Sequence, residues 1–222
     1  MRARVAILSI LLTPGLLGQG PSHAKKLAAD LSWIRSFTSP VESAGEGKAN
    51  LINSDPRFIP LLHSSLPQHQ FFWHDHGRFT SLSDLVQTFL GIPGKAVLEQ
   101  QRYAVVDGCV PHACNARGML WIDTENTTPA LIFVATDNVN GGASSDGALV
   151  HLWMFSSTKL NWQQLPPTFV SSTSEWWSTT SKAWEKYFHE RVVIVSLVQP
   201  SGEIVTLSPA LFSFAQSSAG TH

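Results

Sequence analysis

The stretch Tyr103-Ala104-Val105-Val106-Asp107-Gly108-Cys109-Val110-Pro111-His112-Ala113-Cys114 decides how the rest of the chain is read. Its first part is rich in β-formers, and Asp107-Gly108 punctuates it before a short ring bounded by the only two cysteines. Working outward, the spacing predicts strands over 97–106, 117–123, 130–135 and 148–155. The second carries Met119, Leu120, Trp121 and Ile122, and the third is an unbroken apolar run from Ala130 to Ala135. Turn-formers separate them: Glu125 to Pro129 is a short turn and Asn138 to Gly147 a longer Gly-rich loop. That alternation of strand and turn is the mark of an antiparallel meander.

Helical periodicity flanks the strands. Asn53-Ser54-Asp55-Pro56 reads as a helix start for the apolar set Phe58, Ile59, Leu61 and Leu62. Thr80 or Ser81 can cap a clearer helix, with Leu82, Leu85, Val86, Phe89 and Leu90 on one face and Gly91 as its stop. A further helix is expected over 174–190, where Trp176, Trp177, Thr180, Trp184, Tyr187 and Phe188 share a side that is better read as core than as a sugar platform. A strand at 191–199, a turn at Ser201-Gly202 and a return strand at 203–207 complete the pattern. The expected class is α+β, an antiparallel β-sheet meander flanked by helices.

The first 24 residues have the layout of a secretory signal: Arg2 and Arg4, an apolar run from Val5 to Leu17, and Ser22-His23-Ala24 before the cleavage point. Residues 25–52 read as a loosely ordered leader, 53–215 as one domain with an extended C-terminal part, and 216–222 as a frayed tail. Cleavage shortens the chain of 222 residues to 198, enough for a proper core, and takes the formal charge from -1 to -3. No basic stripe is present, which argues against nucleic acid and against an anionic membrane surface after signal removal. The expected location is periplasmic, exported and soluble.

Export makes the two cysteines meaningful. An oxidising compartment favours a Cys109–Cys114 bond, and so small a ring contributes only about 2 kcal/mol. A domain of this size needs no such staple, so the bond is expected to fix the shape of the loop. Pro111 sets one φ angle inside it, and His112 is left pointing outward. A side chain ordered before binding loses little entropy when it binds. Val110 and Ala113 complete the candidate contact surface.

These residues, followed by Met119-Leu120-Trp121-Ile122 and Ala130-Leu131-Ile132-Phe133-Val134-Ala135-Thr136, resemble the Ivy family (inhibitor of vertebrate lysozyme) over about residues 79–138. Its members carry a Cys-x-Pro-His-x-Cys loop between two strands with an amphipathic helix upstream. The resemblance implies a periplasmic inhibitor, not an enzyme, that plugs the cleft of c-type lysozyme. His112 would approach the two catalytic carboxylates, to which an imidazole can donate. Strongly inhibitory family loops have Lys after the first cysteine and Asp before the second; Val110 and Ala113 stand there in this chain. Without those charges steering is weaker, and another peptidoglycan-cleaving enzyme becomes an alternative partner. A second copy of the chain is also left open as a partner.

Other constellations compete. His69, His74 and His76, with His63 nearby, could hold zinc or copper, but no ligand pair of known spacing accompanies them, so neither metal nor cofactor is expected. A Cys–His nucleophile fails if the sulfurs are bonded, and the spacing is not Cys-x-x-Cys. No Gly-x-Ser-x-Gly elbow supports a serine hydrolase. Asp137 and Asp146 read as turn-formers.

Overall fold

A computed structural model of the chain describes residues 30–40, 49–75, 77–125, 130–139, 148–185 and 189–214. The signal segment, residue His76, Asp146 and the tail from 215 onward lie outside the described residues. Four short helices come first or nearly so: α1 (Ser32–Phe37), α2 (Ala49–Asn53), α3 (Phe58–Ser65) and α4 (Leu82–Phe89). A small hairpin, β1 (His69–Asp75) and β2 (Arg78–Ser81), separates α3 from α4. Then follow β3 (Ile92–Glu99), β4 (Tyr103–Val110), β5 (Ala113–Asp123), β6 (Ala130–Asn138) and β7 (Ala148–Ser156). Helix α5 (Pro167–Trp184) leads to β8 (Glu190–Val198) and β9 (Ile204–Leu207), and a 3-10 turn spans Pro209–Phe212.

The fold is α+β. Strands β3 to β9 form one seven-stranded sheet in sequence order, antiparallel except where β7 lies parallel to β8. The parallel pair requires a crossover, and α5 supplies it. Helices α1 to α4 cover one face of the sheet, over Leu120, Ile122, Leu131, Phe133 and Phe155. On the other face α5 brings Phe169, Trp176 and Trp177 onto Met119, Trp121, Ile132, Val134 and Leu152. Covered on both sides, β5 is buried from Ala116 to Asp123. This is why Met119 to Ile122 is continuously apolar where a half-exposed strand would alternate.

Local chemistry accounts for the helices. Ser81 Oγ accepts from the Asp84 amide at 3.1 Å and donates to its carboxylate at 2.6 Å, fixing the start of α4. Leu82, Leu85, Val86 and Phe89 are wholly buried, and Phe89 sits where Gly118 leaves no Cβ, which would lie 2.8 Å from the Phe89 Cβ. Ser/Thr-rich α5 begins at Pro167, earlier than the expected 174, because proline suits the first helical turn. Its hydroxyls donate back into the helix, Ser172 to Thr168 O at 2.7 Å and Thr173 to Phe169 O at 2.8 Å, and so do not compete with it. Trp176 and Trp177 are buried as core; Tyr187 and Phe188, and the Trp184 side chain, lie outside the described residues.

Four expectations need correction. The 25–52 segment is not a loose leader throughout: α1 and α2 fall inside it, and Trp33, Ile34, Ala49 and Ile52 are buried in the core. The span read as one strand at 97–106 is two, turned at Gln100 and Gln101, whose φ angles are +49° and +59°. The turn is hidden because both residues are glutamines, where a tight hairpin usually shows Asn or Gly. Asn53-Ser54-Asp55-Pro56 joins α2 to α3 and is not the cap of α3, whose preceding residue is Arg57. The His69–Asp75 segment, read as an approach to a helix cap, is a strand. Its register jumps from His69 opposite Ser81 to His74 opposite Phe79. The slack wraps around the buried Gln70 amide, which donates to the carbonyls of Trp73 and Thr80 and accepts from the Phe72 and Trp73 amides.

Candidate functional site

The cysteine-bounded loop is the tip of the β4–β5 hairpin. Val110 pairs with Ala113, leaving Pro111-His112 as a two-residue turn. Proline forbids a positive φ at the first of these positions, so the left-handed residue must be the second, and His112 has φ +63°. Proline followed by a left-handed residue is the type II arrangement; histidine is among the few non-glycine residues enriched there. Cys109 stands opposite Arg117, and the next pairing is already Val110 with Ala113, so residues 114–116 bulge from β5. The Cys109–Cys114 disulfide, with Cα atoms 4.8 Å apart, ties the bulge to β4.

The four candidate contact residues divide into two pairs. Pro111 and His112 are exposed, and the proline ring leans on Gly91 at the end of α4, where a Cβ would come within 2.9 Å of it. Val110 is only 7% exposed and belongs to the core beneath the helices, with Ala113 half-buried against the same cluster. Their apolar character therefore seats the turn, and the projecting surface narrows to Pro111 and His112. Ile92, 46% exposed on the neighbouring strand opposite Cys109, adds a large apolar group beside it. Below the loop, Asp107 accepts from the Lys95 amide at 2.5 Å and holds β3 to β4 across its bulge.

The rival constellations are dispersed. His63 Nδ1 faces Ser83 Oγ at 3.0 Å, and the His74 ring lies on Phe79 with centroids 3.9 Å apart. Among the described residues no group of three or more His, Cys, Asp or Glu side chains is placed to hold a metal. Both sulfurs of the loop are bonded to each other, leaving neither as a nucleophile. Asp137 is half-buried on β6 and accepts from Trp153 Nε1 at 3.4 Å; burial pushes its carboxyl pKa up.

Two arrangements had no place in the sequence reading. Arg117 and Glu190 form an ion pair inside the protein, their side chains 4% and 1% exposed, with the guanidinium 5.3 Å from the Trp177 ring. The signal for it was a lone arginine inside an otherwise apolar strand. On the opposite face His151 stacks on Trp153 at 4.0 Å and meets Ser196 Oγ at 2.9 Å, and burial lowers its pKa to about 4. Among the described residues no helix is long and apolar enough to cross a membrane. Compared with known proteins, the chain matches no family model, no curated protein and no solved structure, so a functional reading rests on the loop itself.

Proposed function

We propose that the protein is an exported, Ivy-like inhibitor that acts in the periplasm and blocks the cleft of c-type lysozyme with its disulfide-closed loop. The observation that carries this reading is the exposed His112 held at φ +63° in a turn fixed on both sides by the Cys109–Cys114 bond. The side chain is presented by a strand pair, a buried Val110 anchor and a proline seated on Gly91, so little order is left to be gained on binding. In the target, an acid and a nucleophile stand close together, and an imidazole donating to them would exclude the sugar sterically.

The test is cell-wall hydrolysis by c-type lysozyme with and without the mature protein. Inhibition is expected, and His112→Ala should weaken it by about 2 kcal/mol or more, roughly thirtyfold, as for a central contact. Undiminished hydrolysis at saturating protein, or full potency in the variant, would remove the reading. A second reading keeps the loop and changes the target to another peptidoglycan-cleaving enzyme, because Val110 and Ala113 provide no charged rim around His112. Inhibition of such an enzyme, with c-type lysozyme untouched, would favour it.

A further inference from the structure

The turn at the tip of the β4–β5 hairpin is an unusual one for its place. Two-residue hairpin turns are normally the mirror-image types, whose twist matches the strands, whereas a type II turn splays them. Here Pro111 and the left-handed His112 make the type II arrangement, and the ladder beneath skips from Cys109–Arg117 to Val110–Ala113. The Cys109–Cys114 bond is the covalent tie across that gap. A left-handed φ is disfavoured for a residue with a Cβ. Pro111 suits the first position of a type I turn equally well, and there the next residue has a negative φ. His112 is thus held away from an alternative that needs no change at the proline.

The tie is within reach of solutes. Cys109 and Cys114 are half-exposed, and both line an open cavity of about 480 Å³ on the α5 side of the sheet, within the size range of small-molecule sites. Exposed disulfides are the labile ones. Lys95 lines the same cavity, and an ammonium there favours an incoming thiolate and any carboxylate it carries; the Asp107 carboxylate beside it accepts from the Lys95 backbone amide. The domain does not depend on the bond. Strand β5 is buried from Ala116 to Asp123 between two helical layers, and so small a ring adds little to stability.

We infer that Cys109–Cys114 is a thiol-operated latch: a small anionic thiol entering the cavity opens it, and the turn relaxes from type II to type I while the domain stays folded. The thiolate attacks one sulfur, forming a mixed disulfide and releasing the other cysteine as a thiolate that takes a proton from water. A second thiol attacks the mixed disulfide, so two thiols are oxidised to one disulfide and the cystine is reduced to two thiols. With the tie cut, His112 leaves φ +63° and no longer projects in the same direction. The relaxation stands by itself; its consequence, loss of inhibition in the reduced form, rests on the proposed function.

The oxidised protein is treated with glutathione and with 2-mercaptoethanol, in buffer and in urea, and free thiols are followed with time. Folded protein should exchange with glutathione within about tenfold of its rate in urea, since the bond is already accessible. The reduced protein should keep its near-ultraviolet circular dichroism. NMR should show the short Pro111 Hα–His112 N–H approach of a type II turn disappearing, with shifts confined to the turn and the residues lining the cavity. Lys95→Gln should lower the ratio of the glutathione rate to the mercaptoethanol rate about threefold or more. The protein carrying Cys109→Ser and Cys114→Ser should be folded and show the relaxed turn. A disulfide that glutathione reaches only in urea would overturn the inference. So would a type II turn surviving reduction, global unfolding on reduction, or an unchanged rate ratio in Lys95→Gln. A thiol-responsive turn in a protein whose oxidised form leaves lysozyme untouched supports the latch and removes the proposed function alone. Equal inhibition by oxidised and reduced protein would overturn the latch as a regulator.

Discussion

Single residues set what this surface can do and when it holds together. His112 is exposed on a backbone held at φ +63°, whereas His151 is informative because of what surrounds it. Burial against Trp153 disfavours the imidazolium and takes the His151 pKa from 6.5 to about 4. The unfolded chain thus binds a proton near pH 6.5 that the folded chain accepts only near pH 4. Stability from this group is complete above pH 6.5, falls as the pH drops through that window, and levels off below it. After screening at a half-buried ring, the loss should be about 1–2 kcal/mol. Urea unfolding measured across pH 7 to 4 checks the slope. His151→Phe, which keeps the stack and has no proton to gain, should flatten it; an unchanged slope would place the acid sensitivity elsewhere.

At the scale of elements, the helix α4 and the β4–β5 turn are one device. Gly91 follows the helix where the Pro111 ring closes over it, and an added Cβ would stand 2.9 Å from Pro111 Cδ and 3.1 Å from the Thr88 carbonyl. Gly91→Ala should therefore cost about 1–3 kcal/mol by overpacking and should blunt the proposed inhibition even though residue 91 does not project with His112. Denaturant midpoints and the hydrolysis assay read the two effects separately. Sequence reading located both partners of this device, since the 3-4 spacing of α4 and the cysteine-bounded turn are local signals. It missed β1, because a bulge wound around one buried glutamine erases the alternation that announces a strand. It also took Val110 for contact surface, since its burial in the core under the helices is settled by packing between elements distant in sequence.

For the molecule as a whole, composition and order of elements were enough for the α+β class, and the apolar density of β5 was an early sign of a sheet covered on both faces. The parallel placement of β8 beside β7 was less legible. A helix lying between two strand-like runs was visible, yet whether the second run pairs parallel or antiparallel depends on where the helix docks. The buried Arg117–Glu190 pair joins β5 to the first residue of β8; the lone arginine in an apolar strand hinted at a buried partner, but which residue it is, 73 positions away, no local pattern can name.

That crossover also orders events in time. Strands β3 to β7 can zip by successive hairpins, each closing a short loop, but β8 cannot find its neighbour until the eighteen residues of α5 have laid themselves across the sheet. Pulse-labelled hydrogen exchange during refolding should accordingly show amides of 103–123 shielded before those of 190–207. Simultaneous shielding of both would mean that the chain commits to its full topology in one concerted passage.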